Sequence, residues 1–525
     1  MLYFRYINFK NRLISIKNSE RQFMKLRLPA SVQNWISLIG ATIATISLFM
    51  IIFLFSLTIF LGEHGTYLGL VIFILLPAVL VFGLLLIPLG MFLHHRKSRK
   101  LTQQVETNWP IVNLNDLRHR NAFFIFTIGT TLYLFLSAIG SYEAFHFTES
   151  NSFCGTLCHS VMHPEYIAYQ NSPHAQVACV ACHVGPGADW YVRSKLSGLY
   201  QVYAVLTNIY PRPIATPIEN LRPAREVCEQ CHWPEKFYAH KLRLETHYLT
   251  NEDNTRWDTR LIMKIGSEHS AYGLKEGIHW HINPNVKVEY VATDFGRETI
   301  PWVRLTDQET GEVKIYQDED HPLEPGQLDT LEIRTMDCID CHNRPSHMYR
   351  PPSLFVNSAI TSGDIPVELP GIKSLAMELC GEEFETLEEA NIRINERIHE
   401  YYQQNYPEFY EEKKSIVAQA IIGLQNIYSV NIFPEMKVQW SAYPNHIGHL
   451  EFNGCFRCHT DTHVTENREI IRKDCNLCHV INAQGTVGNM EISMVGEALE
   501  FKHPEDIDEA WKYGFCTDCH TGLNP

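Results

Sequence analysis

Charge is absent from three long stretches of this 525-residue chain, 36–61, 68–93 and 122–142, and that absence excludes an ordinary soluble protein. About 20 apolar residues at ~1.5 Å rise cross a hydrocarbon layer of ~30 Å, so each stretch is long enough to span a membrane. The first is too long for a cleaved signal peptide, follows the polar segment 1–35 and is succeeded by two further spans, so all three are read as permanent anchors. Lysine and arginine are missing from the short loop GEHGTY between the first and second. They crowd instead before the first span (Arg5, Lys10, Arg12, Lys17, Arg21, Lys25, Arg27) and between the second and third (Arg96, Lys97, Arg99, Lys100, Arg118, Arg120). Both basic segments are therefore expected in the cytoplasm, and everything after residue 146 on the opposite face of the membrane.

Cysteine outside a motif is almost absent too, since of fifteen cysteines only Cys380 stands alone. The others form pairs closed by histidine: Cys154/Cys158/His159, Cys179/Cys182/His183, Cys228/Cys231/His232, Cys338/Cys341/His342, Cys455/Cys458/His459, Cys475/Cys478/His479 and Cys516/Cys519/His520. The first is a stretched CxxxCH and the other six are CxxCH. Two thiols followed at once by an imidazole suit c-type haem, because the cysteines form thioethers to the vinyl groups and the histidine reaches the iron. Four-cysteine zinc sites or disulfides would explain the pairs but not a histidine after every one. Seven covalently bound haem c groups are expected, and their attachment requires a compartment outside the cytoplasmic membrane, in agreement with the charge asymmetry. A b-type haem between the spans is not expected, because His64, His94, His95 and His146 lie at span ends.

Residues 147–525 hold 31 Lys and Arg against 54 Asp and Glu, a balance near −23. That excludes nucleic acid and favours a carrier with a basic patch, such as a periplasmic c-type cytochrome. The fold class expected is mostly α and irregular: three N-terminal transmembrane helices, then a periplasmic multihaem domain with a small antiparallel β insertion. The expected boundaries are a basic segment 1–35, spans 36–146, haems 1–3 on 147–237, a β-rich insertion 238–337 and haems 4–7 on 338–525. Alternation at 286–292, 300–306 and 312–317, with DQETG as a turn, marks the insertion. Helical spacing over 380–430 predicts two helices broken near Pro407. Residues 188–210 read either as core or as a helix lying along the membrane, and 211–237 as a proline-rich connector into the third motif.

Six-coordinate haems need a second ligand. Non-motif histidines cluster beside the motifs, and His174, His279, His281, His347, His449, His463 and His503 are the strongest candidates. At the first motif either His159 binds the iron or Met162 does so with the other face open, and both options mark it as the place where electrons enter.

The stretch 153–240, with CH-x-x-M at Cys158 to Met162, PEYIAYQNSPHA, CVACHVGPG and LRPAREVCEQCHWPEKF, resembles the NapC/NirT/NrfH family of membrane-anchored, quinol-oxidising multihaem cytochromes. The resemblance implies a first haem beside the membrane with a methionine ligand, and a quinol held by a lysine and an acidic residue after the second motif. Lys195 matches the lysine; Asp189, or Gln201 and Tyr203 in the following turns, are the candidates for its partner. The family has one span and four haems, so the layout of this chain is more similar to the seven-haem inner-membrane cytochromes of metal-reducing bacteria. Three functions stand as expectations. The first is a menaquinol dehydrogenase of the bacterial inner membrane, using Lys195 and Asp189. The second is an electron wire without its own quinol site. The third is a terminal reductase of a nitrite-type oxyanion, against which stands the lack of a CxxCK site.

Overall fold

The computed structural model describes residues 34–61, 75–99, 113–156, 159–185, 188–218, 222–237, 239–266, 277–494 and 497–523. Two compact units divide the chain, Met1–Phe153 and Cys154–Pro525.

In the first unit α1 (Trp35–Leu61), α2 (Leu76–Arg99) and α3 (Leu117–Glu149) are long and apolar enough to cross a membrane. α1 and α2 pack closely because small residues face each other. A side chain at Gly40 would lie 2.6 Å from the Gly83 carbonyl oxygen, and one at Gly83 would lie 2.8 Å from the Ala44 nitrogen. Small residues four apart let two backbones approach where water supplies no driving force, and the Ser37 hydroxyl donates to the Ile87 carbonyl at 2.8 Å. The basic segment 1–33, the loop 62–67 and residues 100–112 lie outside the described residues.

The boundary falls inside α4 (Asn151–Thr156), and the second unit continues with α5 (His159–Gln170), α6 (Cys179–His183), α7 (Ala188–Thr207) and α8 (Ala224–Cys228). Two antiparallel sheets come next. One has the order β6-β3-β4-β5-β7 and contains β3 (Val286–Val291), β4 (Trp302–Asp307) and β5 (Val313–Asp318), the three strands read from alternation, with the short β6 (Arg334–Thr335) beside β3. The DQETG turn between β4 and β5 is tied by Asp307, whose Oδ1 accepts from the Glu309 and Thr310 amides, and Gly311 takes φ 75°. The other has the order β1-β2-β8-β9. Its hairpin β1 (His240–Tyr248) and β2 (Arg256–Lys264) comes from the insertion, while β8 (His479–Thr486) and β9 (Asn489–Ile492) come from the C-terminal region. β7 (His463–Val464) likewise joins β5, so strands pair across the expected boundary at 337/338 and the insertion is woven into the C-terminal haem region.

Between the fourth and fifth motifs, after α9 (Cys338–Cys341), lies a helical body without a motif: α10 (Pro352–Ser362), α11 (Ile372–Gly381), α12 (Leu387–Asn405), α13 (Pro407–Glu412) and α14 (Lys414–Ser429). α12 starts where the Thr386 hydroxyl accepts from the Glu389 amide at 3.2 Å, and buries Ala390, Ile394, Ile398 and Tyr402, one per turn. Pro407 occupies the first position of α13, so the break falls where it was expected. Phe355, Leu369, Ile372, Leu379, Leu424 and Tyr428 complete this core.

Candidate haem centres

Six of the motifs sit on a single helical turn or its equivalent, which holds the two cysteines close together: α6, α8, α9, α15 (Cys475–Cys478) and the 3₁₀ turns Gly454–Arg457 and Cys516–Asp518. Asp337 caps α9, its side chain accepting from the Ile339 amide at 3.0 Å. Cys158 and the side chain of His159 lie outside the described residues, while Met162 is half-buried on α5.

Six motif histidines each face one non-motif histidine. Ring centroids are 5.9 Å apart for His174 and His232, 6.1 Å for His183 and His347, and 6.2 Å for His279 and His342. They are 6.0 Å apart for His281 and His459, 6.1 Å for His449 and His479, and 6.0 Å for His503 and His520. Ordinary ring packing would spread over about 4.5–7 Å and favour particular angles. Here the separation is constant while the interplanar angle runs from 6° to 86°. A metal between two imidazole nitrogens, at about 2 Å from each, leaves about 6 Å between centroids and lets either ring turn about the axis.

In six of the twelve paired histidines, His347 among them, the second ring nitrogen meets a backbone carbonyl, while Nδ1 of His479 is buried without a partner. Nδ1–H of His279 donates to the Ile265 carbonyl at 2.9 Å, that of His281 to Ile278 at 3.0 Å, that of His503 to Glu505 at 2.9 Å and that of His174 to Pro345 at 3.3 Å. His459 does the same with Arg472 at 3.0 Å. For His174, His279, His281 and His459 that bond fixes the tautomer and leaves the Nε2 lone pair for a metal, whereas His503 Nδ1 also lies 3.2 Å from the Glu505 amide, which donates to it in the other tautomer.

The space for the porphyrins is present as well. One cavity of ≈ 1770 Å³ runs past cysteines of the second to seventh motifs and is lined by His174, His279, His281, His449 and His503. Cys182, Cys231, Cys455 and Cys475 are exposed yet line it. Of the second motif Cys182 lines it and of the seventh Cys516. Successive motifs are also electrostatic neighbours: Cys154 with Cys179, Cys182 with Cys231, Cys228 with Cys338, Cys341 with Cys455, Cys455 with Cys478, and Cys475 with Cys516. The motifs therefore succeed one another in space in the order in which they occur in the chain.

His463 stands apart from these pairs. It is fully buried, its Nε2 lies 2.7 Å from the Ile300 carbonyl oxygen and its Nδ1 2.9 Å from the Thr460 hydroxyl. With both nitrogens engaged and no described motif histidine opposite, it is a strut between β7 and the loop before β4. His446 is a second buried strut, with Nε2 at 2.9 Å from Glu298 Oε1 and Nδ1 at 3.1 Å from the Asp340 carbonyl oxygen. That same carbonyl accepts from Arg457 at 2.7 Å, and Arg457 donates further to the carbonyls of Gly454 and Arg297, which ties the fourth motif to the fifth.

α7 lies after the second motif. Its exposed side is apolar: Val192, Leu196, Leu199, Tyr203 and Leu206 recur at helical spacing, each more than half exposed. Half-buried Lys195 lies at the edge of this stripe, with Nζ 5.0 Å from the Tyr191 ring centroid. Asp189 is six residues earlier on the same helix, about 120° around it, and its side chain lies outside the described residues.

Residues 117–213 match the family model described as the NapC/NirT cytochrome c family, N-terminal region. The chain is 44% identical over 499 residues to the cytochrome c-type protein ImcH of Geobacter sulfurreducens, covering 95% of this chain and 97% of that protein. It is 27% identical over 115 residues to the cytochrome c-type protein NrfH of Wolinella succinogenes, which is 21% of this chain and 63% of the other. No solved structure matches the chain.

Proposed function

Because the chain belongs to the NapC/NirT family of membrane-anchored multihaem cytochromes c, which work in electron transfer, we propose that it oxidises menaquinol at the outer face of the bacterial inner membrane. The electrons then pass to periplasmic carriers. When bound, haem supplies one-electron redox chemistry at each motif. The motif cysteines would hold it through thioethers, and the histidine pairs His183/His347, His174/His232, His279/His342, His281/His459, His449/His479 and His503/His520 would supply its iron ligands. The observation that carries this reading is the constant separation of those six pairs, 5.9 to 6.2 Å, between rings that no shared element holds together.

With both faces taken at six sites, a small ligand has no open iron there, which counts against an oxyanion reductase. The first motif, with His159 or Met162 as ligand, is left as the place where electrons enter. Lys195 supports the quinol reading over a plain wire. A cation beside an exposed apolar stripe can hydrogen-bond a quinol oxygen and stabilise the anion left as the first proton departs, and Asp189 is the proposed acceptor of that proton. The stripe on α7 suits the lipid surface where the substrate dissolves.

Two measurements on the purified protein test the proposal. Intact mass should exceed that of the 60.6 kDa polypeptide by seven haems, and a menaquinol analogue should reduce them. Six haems would remove the stretched first motif from the account; seven haems that respond to dithionite but not to quinol would leave a wire.

A further inference from the structure

The six paired non-motif histidines differ in what holds their second nitrogen. His174, His279, His281 and His503 meet backbone carbonyls, and His449 has Cys516 Sγ at 3.8 Å. His347 also meets a carbonyl, but that of Glu165, whose carboxylate lies beside the same nitrogen. Nδ1–H donates to the Glu165 carbonyl oxygen at 3.0 Å, and Glu165 Oε2 lies 3.1 Å from Nδ1 as an ion-pair contact. The carboxylate is itself fixed. Arg344 Nη2 is 3.2 Å from Oε1 and 3.3 Å from Oε2, and Arg344 Nε donates to the His347 carbonyl at 2.8 Å. The guanidinium lies 4.2 Å from the Tyr443 ring centroid, and its side chain is 8% exposed. Glu165 is also an electrostatic neighbour of His183, the imidazole opposite His347.

A negative charge beside the N–H side of an imidazole draws positive charge onto the ring, so a metal-bound imidazole with that neighbour is the more basic ligand. A more basic ligand with an anion beside it favours the ferric over the ferrous state. We propose that Glu165, acting through His347, lowers the reduction potential of the second haem below the value carbonyl contacts alone would set. Glu165 is a positioning residue carried on α5, the helix that begins at the first motif, so the segment bearing the first site sets the potential of the second. Electrons then reside mainly at the later sites, away from the quinol. The inference rests on the ligation proposed above, and its test keeps the two apart.

The test is a redox titration of the holoprotein monitored by absorbance and by electron paramagnetic resonance. In Glu165→Gln one midpoint should move up, the low-spin ferric signal of that centre should change, and the haem content and other midpoints should stay. In Arg344→Gln, which strips the carboxylate of its cation, the same midpoint should move down. Unchanged midpoints in Glu165→Gln at full haem content would overturn the proposal. If that variant does not fold, unchanged midpoints in Arg344→Gln would overturn it. His347→Met addresses ligation alone: it should turn one bis-histidine signal into a histidine–methionine one, and failure to do so would remove His347 from the iron whatever Glu165 does.

Discussion

Lys373 has no exposed surface, and burial pushes its amine down to about 7, the nearby Cys380 and Glu451 offsetting only part of that effect. Its one described acceptor is the Ser353 carbonyl at 3.1 Å. The unfolded chain holds this proton to a pH of about 10.4. Between about pH 7 and 10 the unfolded state therefore binds a proton that the folded state does not, and stability rises with pH across that window. Below that window the amine is charged in both states and the whole desolvation penalty is carried. Lys373→Met should thus raise the melting temperature most near about pH 6, with the gain shrinking towards about pH 10. A gain that grows with pH would contradict the assigned cause. Cys380, whose thiol burial pushes up to about 12, is inert packing in the same core. Lys195 is the opposite case, a cation at an apolar rim. Lys195→Met keeps the stem and removes the charge, so dithionite reduction and haem content should hold while reduction by a menaquinol analogue slows about tenfold, or ~1.4 kcal/mol. Unchanged quinol-driven reduction would make it a lysine that only reaches for lipid phosphates, and would pass the role to Asp189, Gln201 or Tyr203.

The 3₁₀ turn Ile278–Ile282 shows how much one short element organises. His279 faces His342 of the fourth motif and His281 faces His459 of the fifth, so residues two apart serve two neighbouring centres. Replacing either histidine by alanine should turn one low-spin haem high-spin, and replacing both should turn two, as read by electron paramagnetic resonance. A single replacement that disturbs both would mean the turn itself had collapsed. Elements of this kind were only half legible in the sequence. The alternation in VKVEYVA and the fourfold spacing of Ala390, Ile394, Ile398 and Tyr402 are local patterns, and they pointed to β3 and α12 directly. β1 and β2 were missed because their pattern completes itself only against β8, more than two hundred residues later. α10 and α11 were missed because one begins at a proline and the other comes after a Gly-Pro-rich bend. The cysteine and histidine motifs stand out because their chemistry demands fixed spacing, but spacing does not tell which thiols are exposed, as Cys182, Cys231, Cys455, Cys475 and Cys519 are. The pairing of His183 with His347 has no signature in the sequence, since tertiary contact alone selects a partner, and the same holds for the place of His463 outside the six pairs. Glu165 and Arg344 carried no signal at all: a glutamate in PEY and an arginine in RPSH look like surface charge until the fold buries them.

At the scale of the whole molecule, charge and haem order pull in one direction. The acidic residues outnumber the basic ones by 23 after residue 146, and the C-terminal stretch around the last motif shares that excess with Glu500, Glu505, Asp506, Asp508, Glu509 and Asp518. With motifs that neighbour one another in chain order, the proposed entry at the first site would bring electrons towards this end. A soluble acceptor with a basic patch would be drawn there by long-range attraction, which speeds encounter more than it strengthens the complex. Such attraction reaches about 10 Å at roughly 0.1 M ionic strength and only ~3 Å at about 1 M. Electron hand-off from the quinol-reduced protein to a cationic c-type cytochrome should therefore slow steeply as salt is raised, when monitored by stopped-flow absorbance. Reduction of the haems by the quinol analogue, an uncharged substrate, should change little over the same range, which separates an effect on docking from one on the protein itself. A hand-off rate indifferent to salt, with quinol reduction intact, would mean that apolar contact and not the acidic surface selects the acceptor.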